Sequence, residues 1–215
     1  MIPALRAFAA RVTGQAISTF ARFMTAPRAI WQGIEPVPHQ RVYFANHSSN
    51  GDFVLLWTAL PAPLRRQTRP VAALDYWLTS PIRAFIGREV FNAVLIDRRP
   101  EARTEDPVAQ MAAALDQGSS LILFPEGQRN SSDTPLLPFK SGLYHLAKTR
   151  PGVDLVPVWI ANLNRVMPKG EIIPVPLICT LTFGSPLHLT PDESKDAFLA
   201  RATQALLALK PQALS

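Results

Sequence analysis

The chain has a single cysteine, no acidic residue before Glu35 and no long apolar run, and each shortage removes a class of protein. Cys179 alone excludes an intrachain disulfide framework. Within the strand-like Leu177-Ile178-Cys179-Thr180-Leu181 it reads as a small buried apolar residue, compatible with a reducing compartment. Although 47% of the chain is hydrophobic, no stretch supplies the roughly 18 uninterrupted apolar residues of a membrane-spanning helix. Contact with a membrane is expected rather than passage through it. His39, His145 and His188 lack carboxylate or thiolate neighbours at metal-ligand spacings, so no metal is expected. Zinc-ligand spacing, RNA-recognition strand motifs and basic heptads are missing too, so nucleic acid is not the expected partner.

Lys and Arg number 22 against 16 Asp and Glu, a net charge of +6, which suits an anionic bilayer surface and phosphate-bearing substrates. A length of 215 residues buries one substantial α/β core. Near the start, Arg6, Arg11, Arg22 and Arg28 punctuate an apolar series of Leu5, Phe8, Val12, Phe20, Phe23, Ile30 and Trp31. Those spacings predict an amphipathic membrane-interface segment over residues 1–34, aromatics among acyl chains and arginines at head groups. The plainer alternative is a helix packed on the domain's own sheet. A targeting peptide is disfavoured, because no compact hydrophobic stretch and cleavage site follow the charges.

Pro36-Val37-Pro38 separates that segment from the remainder, 35–215. Strand-like runs at 41–45, 71–74, 93–96, 121–124, 155–160 and 177–183 alternate with helical patterns. One helix is expected at about 52–60, another carries Val108, Met111 and Leu115, and a third carries Phe198, Ala202, Leu206 and Leu209. Such alternation predicts an α/β fold, a single central sheet flanked by helices.

Two segments carry chemistry. His47 precedes Asp52 by five positions in Ala45-Asn46-His47-Ser48-Ser49-Asn50-Gly51-Asp52, between an apolar strand and an apolar helix. A strand-to-helix turn rich in Ser, Asn and Gly can fold the carboxylate back onto the imidazole, fixing its tautomer and steadying its protonated form. Ser48 and Ser49 are assigned to the turn and the helix cap rather than to nucleophilic attack. Farther on, the apolar Leu121-Ile122-Leu123-Phe124 stops at Pro125-Glu126-Gly127-Gln128-Arg129-Asn130. Ligand crevices in open α/β sheets lie beyond the carboxyl ends of strands, which makes Glu126 and Arg129 candidates to meet a polar ligand.

Together these segments resemble the glycerolipid acyltransferase family, in particular the 1-acylglycerol-3-phosphate (lysophosphatidate) acyltransferases. Asn46 to Asp52 matches the family's N-H-x4-D, and Ala93-Val94-Leu95-Ile96-Asp97-Arg98 its apolar strand ending in Asp-Arg. Phe124-Pro125-Glu126-Gly127-Gln128-Arg129 and Val156-Pro157-Val158 follow in the family's order, with Phe139-Lys140-Ser141-Gly142 between them. The match spans about 41–160. Asn92 and Leu95 stand where the family usually carries glycine and an aromatic, and Gln128 and Asn130 replace its commoner Thr and Ser, departures expected to touch the acceptor pocket.

The resemblance implies a glycerol-3-phosphate acyltransferase-like fold for 35–215 and a peripheral enzyme on the cytoplasmic face of the membrane. It would move a fatty acyl group from acyl-CoA or acyl-carrier protein to the free hydroxyl of lysophosphatidate, yielding phosphatidate, with no further cofactor. His47 is the expected base, since an imidazole of ordinary pKa about 6.5 is largely neutral near pH 7 yet able to hold a proton. Asp52 would orient it. Arg98, ending its strand after Asp97, is the expected phosphate fork. Glu126 would accept from an acceptor hydroxyl, Gly127 allow close backbone approach, Arg129 add positive charge, and Lys140 bind phosphate or the developing oxyanion. Two other readings stay open: an acyltransferase for another lyso-lipid, and a noncatalytic lipid-binding protein.

Overall fold

The structure, a computed structural model, describes residues 2–99, 101, 103–162 and 178–211. A sheet of seven strands runs in the order β1-β7-β6-β2-β5-β3-β4. The strands are β1 Arg28–Trp31, β2 Arg41–Ala45, β3 Thr68–Ala73, β4 Val94–Ile96, β5 Ser120–Leu123, β6 Asp154–Ala161 and β7 Thr180–Phe183. All neighbours pair in parallel except β6 and β7, which are antiparallel.

The side-chain period of two sorts the sheet into two buried faces. On one, Val42, Phe44, Leu121 and Leu155 pack with Met111, Leu146 and Phe198 from α6 Pro107–Asp116, α7 Gly142–Thr149 and α8 Lys195–Leu207. On the other, Tyr43, Ala45, Ile122, Val156 and Val158 pack with Leu55, Leu56, Leu60 and Leu64, contributed by α2 Asp52–Ala59, α3 Ala62–Gln67 and the link between them. Every residue of β2 is buried, as a strand covered on both faces requires. Cys179 belongs to the second cluster, and burial pushes its thiol up to about 11. Leu177, which opens the strand expected there, lies outside the described residues.

Helix α1, Ile2–Thr25, packs on α2 and on a π-helical turn, Ile86–Val90, that continues α5 Pro81–Phe85. Its inward stripe is Ala10, Gly14, Ser18 and Thr25, one turn apart or a multiple of it, and small residues let the helix approach closely. Leu5, Phe8, Val12, Phe20 and Phe23 instead point outward, from 52% to 78% exposed. The large apolar side chains are thus not what fastens α1 to the domain. No helix among the described residues is long and apolar enough to cross a membrane.

The segment expected over 1–34 divides. Ala26 adopts a left-handed φ of 34° and Pro27 offers no N–H, so the helix stops, and Arg28–Trp31 becomes an edge strand whose Trp31 stacks on Phe183 at 4.0 Å. Strand β3 likewise begins at Thr68, three residues before the expected 71, because Arg69-Pro70 masks the apolar pattern.

Candidate active site

Four parallel strands end along one edge of the sheet, and each delivers a motif there. In sheet order, His47 follows β2, Glu126 follows β5, α4 Leu74–Trp77 with Asp75 follows β3, and Arg98 follows β4. Backbone carbonyls and amides at such an edge are no longer paired within the sheet, so loops and polar side chains finish the strands.

At the end of β2 the ladder stops at Ala45 and Val158, and the Asn46 side chain extends it. Its Oδ1 accepts from the N–H of Ile160 at 2.7 Å and its Nδ2 donates to the Ile160 carbonyl at 3.0 Å. The chain then turns, and Asp52 opens α2 with its carboxylate folded back. Oδ2 of Asp52 accepts from the N–H groups of Ser48 and Ser49, at 2.7 and 2.8 Å, and lies 2.8 Å from Nδ1 of His47. An oxygen that receives two amide protons is an acceptor, so Nδ1 is the donor in this pair. The neutral ring therefore carries its free lone pair on Nε2, and the His47 side chain is 19% exposed while Asp52 is fully buried. The Phe124 ring stacks against the imidazole at 4.3 Å.

Ser49 serves the turn, its Oγ accepting from the N–H of Gly51. No side chain caps α2 at Gly51, so the capping expected of the serines is absent there; the Asp52 carboxylate binds their amides instead.

The loop after β5 grips the backbone of His47 from both sides. Glu126 Oε1 accepts from the His47 N–H at 2.8 Å, and the Asn130 N–H donates to the His47 carbonyl at 2.6 Å. Oε2 of Glu126 accepts from the Leu137 N–H at 2.8 Å, and the residue is 1% exposed. Burial raises its carboxyl above the usual range, against the pull of those two amides. Both oxygens are engaged by main chain, so this geometry makes Glu126 a clamp between loops rather than a group facing an acceptor hydroxyl. Gly127 takes a φ of 70°, the left-handed region that favours glycine, and a Cβ there would meet Lys140 Cγ at 3.2 Å. The close approach at Gly127 is thus to the stem of Lys140, whose own N–H donates to the Pro125 carbonyl at 2.7 Å. Arg129 is exposed on the same loop.

Arg98 is not paired with its neighbour Asp97. Its Nε and Nη2 grip Asp75 at 3.2 and 2.8 Å, a bidentate fork from β4 to the end of β3, and this holds the Asp75 carboxyl below its usual range. Asp97 instead binds Arg99, whose guanidinium and N–H hold its carboxyl down to about 2. Three strand spacings separate the β2 and β4 ends, about 14 Å. Sequence reading missed Asp75, which lies 23 positions from Arg98 and carries no motif of its own. It also gave Asn46 no role, although the family pattern includes it.

One departure from the family pattern finds a place. Asn92 has a φ of 48°, which glycine and then asparagine tolerate best, and it precedes β4 at the opposite edge from His47. Asn92 is therefore a backbone solution rather than part of an acceptor pocket. Val156 and Val158 of the fourth motif are fully buried in the face beneath β2.

A family model described as Acyltransferase matches residues 28–161. The 1-acyl-sn-glycerol-3-phosphate acyltransferase of Limnanthes alba is 29% identical over 164 residues, covering 73% of this chain and 53% of the relative. Its counterpart in Escherichia coli is 30% identical over 138 residues, 58% of this chain and 51% of the relative. The chain spans about half the length of the curated relatives it matches. Among solved structures, the 1-acyl-sn-glycerophosphate (LPA) acyltransferase of Thermotoga maritima aligns with a TM-score of 0.69 at 22% identity, over 96% of this chain and 85% of that one, a likeness of fold.

Proposed function

Because the chain belongs to the acyltransferase family, we propose that it transfers a fatty acyl group from an acyl thioester to the free hydroxyl of lysophosphatidate, giving phosphatidate. The observation that carries this reading is the His47–Asp52 pair at 2.8 Å, with Nε2 left free at the edge where the other motifs end.

In this mechanism His47 Nε2 takes the hydroxyl proton as the acceptor oxygen attacks the thioester carbonyl, and Asp52 stabilises the imidazolium. Collapse of the tetrahedral adduct breaks the C–S bond. The imidazolium returns the proton to the departing thiolate, leaving ester, free thiol and neutral imidazole. The thioester supplies the activated acyl group, so no redox partner or second cofactor enters the balance. Ser48 and Ser49 stay outside it, since their N–H groups hold Asp52. Arg98, steadied by Asp75, presents Nη1 and the second hydrogen of Nη2 to the acceptor phosphate; Lys140 and Arg129 add positive charge from the β5 loop. Glu126 and Gly127 position His47 and Lys140.

The chain is placed peripherally on the cytoplasmic side of an anionic membrane surface; the outward aromatic face of α1 supports the membrane contact, not the side. Burying side chains of this size gains roughly 1.5–3 kcal/mol each, and Leu5, Phe8, Val12, Phe20 and Phe23 share one face. Arg11 and Arg22 flank it, where anionic head groups would lie.

The test is a product-resolved assay pairing acyl-CoA and acyl-carrier-protein donors with a panel of lyso-lipids. Release of thiol that depends on lysophosphatidate, and that His47→Ala abolishes in a folded protein, supports the reading. A fully active His47→Ala variant refutes the base. Preference for another lyso-lipid refutes the acceptor alone, and lipid binding with no thiol release refutes catalysis.

A further inference from the structure

At the amino-terminal edge of the sheet, away from His47, a cavity of about 660 Å³ opens between α1, α3 and the turn before β4. Arg11, Arg65, Arg66 and Arg69 line it, with Trp57 and Asn92. Glu89 is the one acid among the described residues of the lining, and it faces Arg6 at 3.5 Å.

Arg22 approaches the same place from α1. Its Nη2 donates to the Thr58 carbonyl at 3.4 Å, and Nη1 of Arg65 donates to that same oxygen at 3.4 Å. Two guanidinium groups thus converge on one neutral acceptor, with Arg65 also lying 5.2 Å from the centre of the Trp57 ring. Burial, and then the charges of Arg22 and Arg66, pull the Arg65 guanidinium below its usual value, and it remains a cation at any ordinary pH. Among the described residues no carboxylate stands within ion-pair distance of Arg11, Arg22, Arg65 or Arg66. Like charges gathered around a partly buried groove repel, and an anion with several oxygens relieves that repulsion.

Position selects the anion. Arg11 and Arg22 are eleven positions apart, about three turns, on the flank of α1 beside Phe8, Phe20 and Phe23. With those aromatics among acyl chains, the groove sits at the level of the head groups. We infer that Arg22, Arg65 and Arg66 bind the phosphate of an anionic lipid head group, with Arg11 lining the same groove about three turns away along α1. The inference rests on the reading of α1 as an interface helix; it does not need the chemistry at His47. Guanidinium forks match phosphate oxygens, and a neutral or carboxylate head group would bind less well.

The test uses the full chain and a monomeric short-chain probe, dihexanoylphosphatidylglycerol, with dihexanoylphosphatidylcholine and coenzyme A in parallel, followed by titration calorimetry. Wild type should bind the phosphatidylglycerol, and Arg65→Gln with Arg66→Gln should weaken it by about tenfold or more. Arg65→Lys with Arg66→Lys, which keeps the charge and the fold, should recover only part of it. Lys148→Gln with Lys195→Gln, an equal loss of charge on α7 and α8, should leave it unchanged. Equal weakening by both glutamine pairs would show a general charge effect and overturn the site. Coenzyme A binding that the arginine variants abolish, without phosphatidylglycerol binding, would assign the groove to the thioester donor and overturn the lipid. Phosphatidylglycerol binding by a wild-type chain that shows no acyl transfer would refute the proposed reaction and not this site.

Discussion

The backbone N–H of His47 donates to Glu126 at 2.8 Å, while its ring donates to Asp52 at the same distance, so two acids hold one residue from two directions. Only the ring bond concerns the proton. The main-chain bond fixes where the ring stands.

For that reason Glu126→Gln should act through His47. An amide in place of the carboxylate sets one NH₂ against a main-chain donor, a loss of about 1–3 kcal/mol, with kcat falling more than KM. The pH dependence has a definite sign. Burial raises the Glu126 carboxyl above its usual 4.5, so its contribution to stability is full below 4.5 and is lost as pH climbs through the raised value. Urea unfolding across the acid range should show the stability gap between wild type and Glu126→Gln narrowing as pH rises through that window. A gap that widens would contradict the assignment.

Asp52→Asn tests orientation at the ring. Its Oδ2 binds all three donors, so asparagine can keep its oxygen toward them but loses the charge that steadies the imidazolium, and its NH₂ takes the place of Oδ1, which is buried without a partner. The rate should drop by about 10²–10⁴, and the melting temperature should fall because two donor hydrogens are buried without an acceptor. Rate and melting curve measured on the same preparation check both parts.

At the other end of the edge, Arg98→Ala should raise KM for lysophosphatidate by about 10–100-fold, with a smaller effect on kcat. Asp75→Asn should give a milder rise, since the guanidinium keeps its charge and loses its fixed direction. Arg98→Lys should fail to restore affinity, because an ammonium cannot fork to Asp75 and phosphate together. Steady-state kinetics with the acceptor varied will show whether the effect sits in KM.

Serine in place of Phe8, Phe20 and Phe23 should abolish flotation with anionic liposomes and leave the thermal melt close to wild type, because these side chains are 64% to 78% exposed. A large loss of stability would instead mean that α1 is held to the domain by its aromatics.

The alternation of apolar runs with helical patterns was legible because each element follows its own local rule: a near-continuous apolar run in β2, which is buried on both faces, and an apolar stripe in α6 and α8. Boundaries failed where tertiary pairing overrode the pattern. Arg28–Trp31 looks like a continuation of the α1 stripe until β7 offers it a strand partner and Phe183 offers Trp31 a stacking face.

What the residues alone determined is the short-range chemistry: a turn between His47 and Asp52 compact enough to fold an acid onto a ring, and a strand end where Glu126 appears. Tertiary structure decided which groups meet. Asp75 and Arg98 come together because β3 and β4 are parallel neighbours, and Glu126 turns to the His47 backbone because β5 ends beside β2. Asn92, which its motif places near the acceptor, lands at the far edge, since a parallel strand sends its two ends to opposite sides of the sheet. Spacing along a chain fixes local turns, whereas contacts between strands depend on sheet order, which no local pattern encodes.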